Sequence, residues 1–206
     1  MRRKVARQLR LPRTAGWGGR REGAGGKRRK GAGVSHATRA RFRRLPVHVT
    51  MRVLPHVWNL RSKRCFEPMA NACGIAAERF GVRIIDFGVE GNHLHFIVEA
   101  EDAAALSRAI QGLTIRLAKA LNRVMGRSGK VFADRYHAHL LRTPREVRNA
   151  IHYAVTNHAI HARRGGWQVP SGVDPYTSRG HRALRLRLQR PPCVAPQLWL
   201  TRRALR

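Results

Sequence analysis

The chain is 206 residues long and carries 42 Lys and Arg against 11 Asp and Glu, a formal charge of +31, which points to a polyanionic partner and above all to nucleic acid. That length admits one modest domain with tails; no run is apolar for long enough to span a bilayer, and the charged N-terminus lacks the apolar stretch of a secretory signal. Three cysteines (Cys65, Cys73 and Cys193) without paired spacing argue against a disulfide framework or a zinc knuckle, so a cytoplasmic, nucleoid-associated protein with no membrane partner is expected.

Residues 1–44 hold 16 Lys and Arg and one acid, Glu22. Rich in glycine and with almost nothing to bury, they read as a disordered basic arm whose Arg20, Arg21, Lys27, Arg28, Arg29 and Lys30 are candidates for phosphate contacts. Residues 45–162 return to charge balance, with 16 basic and 9 acidic side chains, and to regular patterning, so the folded domain is expected there. Its first strand is Val47–Val53, with Val47, Val49, Met51 and Val53 on one face and His48, Thr50 and Arg52 on the other. A helix follows over about 66–80, with Phe66, Met69, Ala70, Cys73, Ala77 and Phe80 along one side and Gly81 as its stop. Cys73 on that stripe reads as a buried thiol. A strand over 82–90 then turns at Gly91-Asn92 into a second strand.

That second strand, Gly91-Asn92-His93-Leu94-His95-Phe96-Ile97-Val98-Glu99, is the most informative stretch of the chain. Its alternation sends Leu94, Phe96 and Val98 to one face, and His93, His95, Ile97 and Glu99 to the other. Two imidazoles one pleat apart suit a divalent metal ion and leave coordination positions open. Glu99 lies two pleats beyond His95, too distant for the same ion, and is expected to pair with an arginine.

The strongest helical period covers about 103–125, where Leu106, Ile110, Leu113, Leu117, Leu121 and Val124 recur at three- and four-residue steps. A strand over about 136–142 precedes a last helix, which starts at Pro144 with Thr143 as cap and runs to about Ala162. On that helix Tyr153 and Asn157 are four residues apart and share a face, which Asn149 and His161 extend. Asn157 can offer an amide oxygen as a third ligand and Tyr153 a phenol as nucleophile. Residues 163–206 hold 10 Lys and Arg and one acid, broken up by Gly and Pro, and read as a basic C-terminal tail.

The order strand, helix, strand, strand, helix, strand and one extra helix is that of an α+β protein. It predicts a ferredoxin-like split βαβ antiparallel sheet with two helices on one face and the histidines on the other, where the added C-terminal helix could cross. Taken together, residues 91–98, the Tyr-Ala-Val-Thr-Asn of 153–157 and the Val-Phe-Ala-Asp-Arg-Tyr of 131–136 resemble the single-tyrosine His-hydrophobe-His endonucleases, the transposase family that includes the REP-associated tyrosine transposases. The chain departs from that pattern in carrying His158 where many relatives have Pro, and Gly91 where Pro often precedes Asn-His.

The resemblance implies that His93, His95 and Asn157 bind Mg²⁺ or Mn²⁺, that Tyr153 attacks phosphorus, and that the product is a 5′-phosphotyrosine link. It implies single-stranded or hairpin DNA as partner, and it admits a homodimer in which the tyrosine serves its own or the other subunit's histidines. Tyr136 is the competing phenol, disfavoured because no ligand follows four residues on. His48, His137 and His139 are expected as packing or phosphate contacts. The alternative reading is a noncatalytic nucleic-acid-binding protein with the same fold.

Overall fold

The computed structural model describes residues 40–168 and 172–205, which belong to one compact unit. The basic residues named in the N-terminal arm, Arg20 to Lys30, lie outside the described residues. The element order is β1 (Arg43–Arg52), α1 (Lys63–Ala76), β2 (Glu78–Arg79), β3 (Val82–Val89), β4 (His93–Asp102), α2 (Ala103–Val124), β5 (His137–Leu140) and α3 (Pro144–Arg164). A short 3-10 helix (His181–Leu184) and α4 (Trp199–Ala204) follow.

The sheet runs β2-β3-β4-β1-β5, antiparallel throughout. Apart from the two-residue β2, this is the α+β, ferredoxin-like strand order expected from the sequence. Alternation along β4 decides what each face becomes. Leu94, Phe96 and Val98 are at most 1% exposed and join the main core with Phe66, Met69 and Cys73 of α1 and with Leu106, Ile110, Leu113, Leu117 and Leu121 of α2. On the opposite face Ile97 packs with Leu141 and with Val147, Ala150 and Ile151 of α3. The last helix therefore crosses the histidine face. Side-chain caps fix the starts of the long helices: Asp102 accepts from the Ala105 N–H and Thr143 from the Glu146 N–H.

The first helix is shorter than its apolar stripe suggests. It ends at Ala76, and Glu78–Arg79 fold back on Val82–Arg83 in a hairpin whose two turn residues, Phe80 (φ 56°) and Gly81 (φ 72°), are both left-handed. Gly81 is a hairpin turn residue, not a helix stop, and Phe80 is exposed instead of buried. Pairing of two strand residues outweighs two more turns of helix here because it extends the sheet at its edge.

Residues 172–205 follow the sheet closely. The Val89 N–H donates to the Tyr176 carbonyl, the Ser178 N–H to the Phe87 carbonyl and the Val194 N–H to the Ile84 carbonyl, all on β3 or from it. Arg61 grips the Asp174 carboxylate with both guanidinium nitrogens at 2.8 and 2.9 Å. Glu99, buried on β4, accepts from the backbone N–H groups of Gln197 and Leu198, each at 2.8 Å, with the Arg83 Nε 3.9 Å away. Among the described residues no helix is long and apolar enough to cross a membrane.

Glu99 is thus the clasp of the C-terminal segment. Glu99→Ala leaves two N–H groups without their acceptor and Arg83 without its partner. It should cost about 2 kcal/mol in urea unfolding and speed tryptic cleavage at the arginines from Arg185 to Arg203.

Candidate active site

Four strands and one helix build the site. On β4, His93 and His95 point to the face that α3 crosses. Their cross-strand neighbours on β1 are Arg52 and Thr50, and β1 carries His48 opposite Ile97. On the other side of β1, Thr50 faces His137 and His48 faces His139 of β5. A row of imidazoles therefore runs from the start of β4 to the outer strand. Together with Thr50, Leu141, Glu146, Asn149, Ala150 and Tyr153 these five rings line an open cleft of about 640 Å³.

Tyr153 enters the cleft from α3 because Ala154, the next residue, packs directly on the sheet. Ala154 is 2% exposed, and its carbonyl lies over Gly88 of β3 so closely that a Cβ on Gly88 would run into it. Gly88 is also the cross-strand partner of His95. The side chain missing from β3 is thus the space in which the helix backbone descends, and one residue away the phenol ring stands 5.2 Å from the His95 ring and 6.0 Å from that of His48, edge-on to both. Tyr153 keeps 41% of its surface exposed, enough to reach a substrate.

The imidazoles are oriented by hydrogen bonds on one nitrogen each. His93 Nδ1 lies 2.7 Å from the Asn92 Oδ1, an acceptor, so the proton sits on Nδ1 and the Nε2 lone pair is available. His95 Nδ1 contacts His48 Nε2 at 3.1 Å and Thr50 Oγ1 at 3.3 Å, while its own Nε2 is buried without a partner. Asn157, one turn beyond Tyr153, is 2% exposed with its Nδ2 likewise unpartnered, and it lies outside the cleft lining. Among the described residues no group of three or more His, Cys, Asp or Glu is arranged to hold a metal ion. Two imidazole lone pairs with an amide and open positions nevertheless suit a hard divalent cation that keeps several waters, and the orphaned nitrogens of His95 and Asn157 are polar atoms that such a set would use.

Burial keeps these rings neutral. It is the main cause that pushes His95 down to about 3, helped by the neighbouring His93, His48 and His161, and His48 down to about 4, helped by His139 and His137. His93 is lowered too, first by burial and then by the charges of Arg52 and His161. A neutral ring is the form that can bind metal.

Sequence reasoning brought His93, His95 and Tyr153 together. It passed over His48 and Thr50 as the partners of His95, and over Gly88 as the landing point of the helix. The signals were an isolated glycine inside a strand and the shared period of His48 and Thr50, but only strand order shows that β1 lies beside β4.

A ferredoxin-like sheet crossed by a helix over a histidine-lined cleft defines a DNA-processing enzyme of the transposase class. The family model described as "Transposase IS200 like" matches residues 44–154, more than half of the chain, and the chain belongs to that family. Among solved structures it is similar to a REP-associated tyrosine transposase bound to a REP hairpin, at 17% identity and a TM-score of 0.56, over 80% of this chain and 93% of that one. It also matches a putative transposase from Deinococcus radiodurans, at 11% identity and a TM-score of 0.41, over 66% of this chain and 100% of that one. No protein of curated function matches the chain. Membership makes DNA transposition and recombination its field of activity, and the family and the fold agree with the resemblance carried by residues 91–98, 131–136 and 153–157.

Two outcomes test the geometry. Gly88→Ala should cost about 3 kcal/mol in urea unfolding, and hydrogen exchange should quicken along α3 around Ala154, because the backbone there has nowhere to move but away from the sheet. Since His48 and His95 hold their protons more weakly folded than unfolded, the unfolded chain binds more protons as pH falls below about 6.5, and stability present above that value is lost on the way down to about 4. Thermal melts in EDTA should show Tm falling across that window, and His48→Gln should make the fall shallower.

Proposed function

We propose that this chain cuts and rejoins single-stranded DNA, with Tyr153 as nucleophile. The phenol gives up its proton and its oxygen attacks the scissile phosphorus. The bond from phosphorus to the 3′ oxygen breaks, that oxygen takes a proton and leaves as a 3′-OH, and the 5′ side stays on the enzyme as a phosphotyrosine. Attack on this link by a DNA 3′-OH reverses the step, returning the phenol and joining the strands. One phosphodiester replaces another, so no energy-rich cofactor is called for. A phenol, with a pKa near 10, is a modest nucleophile but a good leaving group, which suits a reaction that must run both ways.

His93 and His95 would hold Mg²⁺ or Mn²⁺, with Asn157 completing the protein ligands. Bound there, such a cation draws charge from a non-bridging oxygen of the phosphate. Asn92 and the His48–Thr50 pair keep the two rings turned with a lone pair forward, and burial keeps them unprotonated. The observation that carries this reading is the Tyr153 ring 5.2 Å from a His95 ring whose Nε2 is buried and unpartnered.

Hairpin DNA is the substrate that the similar REP-associated transposase suggests, since that protein is described bound to one. Phosphate contacts from Arg20, Arg21, Lys27, Arg28, Arg29 and Lys30 would hold flanking DNA without reading its sequence. The protein would act in the cytoplasm at the nucleoid. Phenol and imidazoles lie together within one chain, so the reaction needs no second subunit, and a homodimer would carry two sites.

The test is covalent capture. With Mg²⁺ and a library of single-stranded and hairpin-flanked oligonucleotides, a denaturant-stable protein–DNA adduct should form, with the linkage mapped by mass spectrometry to Tyr153. Tyr153→Phe should abolish it, and His93→Ala or His95→Ala should cut it at least about 100-fold, as should EDTA. Undiminished adduct in Tyr153→Phe would remove Tyr153 from its role. Salt-sensitive binding with no adduct under either metal would leave the noncatalytic binding protein.

A further inference from the structure

Beside the cleft a second feature has chemistry that the tyrosine and the histidines do not use. The loop between β1 and α1 is bonded at both ends to the two turn residues that precede His93: the Val53 N–H donates to the Asn92 carbonyl and the Leu60 N–H to the Gly91 carbonyl, each at 3.0 Å. Asn59 lies against Gly91 and accepts from the Arg61 N–H. Val57 and Leu60 are buried, 8% and 0% exposed, and anchor the loop in the main core. Trp58 sits between these anchors yet remains 42% exposed. A large indole held outward by buried neighbours on a well-bonded loop is a rigid platform, and burial in this chain does not account for it.

The surroundings of that indole are cationic. The Arg64 guanidinium lies over one face of the ring, 4.5 Å from its centroid, and reaches on to the Val124 carbonyl at the end of α2. Arg52, exposed at the end of β1 opposite His93, stands between the loop and the cleft. Exposed Arg123 and Lys130 follow on the other side, where the Lys130 carbonyl contacts His56 of the loop. Neither residues 53–66 nor residues 103–133 contain an acid. An aromatic face interleaved with guanidinium groups, with no opposing charge, is the surface that binds unpaired nucleotides: the bases stack and the phosphates find cations.

We infer that Trp58 and Arg64 form a stacking subsite for an unpaired nucleotide of the DNA strand whose phosphate lies at His93 and Tyr153, with Arg52 guiding the backbone between the two. The subsite rests on the nuclease reading for its place along the strand. It adds a second point of grip that is tolerant of sequence, because every base presents a π face. The grip would hold the strand against the cleft during the interval in which one end is covalently attached and the other is free.

Binding of a fluorescently labelled, unpaired oligonucleotide of mixed sequence tests this, measured by anisotropy in EDTA so that no cleavage intervenes. Trp58→Ala should weaken binding about tenfold with an unchanged slope of log K against log salt, and Trp58→Phe, which keeps an aromatic face, by less than about threefold. Arg64→Ala should reduce the salt slope by about one. DNA should quench the tryptophan fluorescence of the wild type and do so much less in Trp58→Phe, where Trp17, Trp167 and Trp199 remain as internal controls. Melting curves matched to wild type show that each variant is folded.

Trp58→Ala binding within twofold of wild type, with quenching unchanged in Trp58→Phe, would overturn the subsite and leave the tyrosine chemistry standing. A wild-type chain that binds and quenches but never forms an adduct would support the subsite and sink the nuclease reading. A wild-type chain that binds no unpaired DNA would overturn both.

Discussion

The approach of α3 to the sheet at Gly88 is the constraint on which the rest of the molecule depends. A helix normally rides on a sheet at the distance its side chains impose. Here one strand residue has no side chain, so the Ala154 carbonyl comes down almost to the strand backbone. Because Gly88 pairs with His95, the point of closest approach is beside the buried imidazole, and Tyr153 is carried to it by its place in the sequence. Catalytic geometry of this kind tolerates errors of well under an ångström. Setting the nucleophile by a backbone contact, not by a long flexible side chain, is a direct way to achieve that.

Electrostatics in the site run against those of the surface. The chain carries +31, and a protonated imidazole would be one more positive charge in a crowded field. Burial is the largest cause of lowering at His48, His93 and His95 alike, ahead of every neighbouring cation. The sheet thus keeps neutral nitrogen lone pairs at the centre of a strongly basic protein. The two properties serve different parts of one task, since the outer charge gathers phosphate and the inner neutrality leaves ligands for a cation. Glu146 on the rim and Glu90, held by His158 at 3.3 Å, are acids placed close to this centre.

Most of the sheet and the two long later helices were legible because their residues obey one period without exception. β4 alternates over its whole length, and the leucines of α2 never leave one side. The hairpin at Phe80-Gly81 was not legible: Phe80 continues a helical stripe on paper, and only the pairing of Glu78 with Arg83 shows that the chain turns back earlier. The site divides in the same way. His93, His95 and Tyr153 announce themselves by spacing within one element. The partnership of His48 with His95 joins residues 47 apart and exists only because β1 is inserted beside β4. Residues 172–205 were opaque for a different reason. Their hold on the sheet comes from backbone hydrogen bonds and from single side chains such as Asp174 and Glu99, which leave no periodic trace.

That C-terminal segment also bears on how the tyrosine is held. Pro144 could have marked a hinge about which α3 swings toward a second subunit. Instead Leu141 is buried and its N–H is bonded to the Pro46 carbonyl, so the chain is pinned just ahead of the helix. Ile97, Val147 and Ile151 would each lose roughly 1.5–3 kcal/mol of burial if α3 lifted from the sheet. Beyond the helix the chain returns to β3 through Val89 and Tyr176 and to β4 through Glu99, and α4 closes on α3 where Arg148 meets the Ala204 carbonyl. The helix therefore lies between its own sheet and its own tail. To deliver Tyr153 to another subunit, the chain would have to release both at once. The arrangement that costs least is the one in which each phenol works over the imidazoles of its own chain.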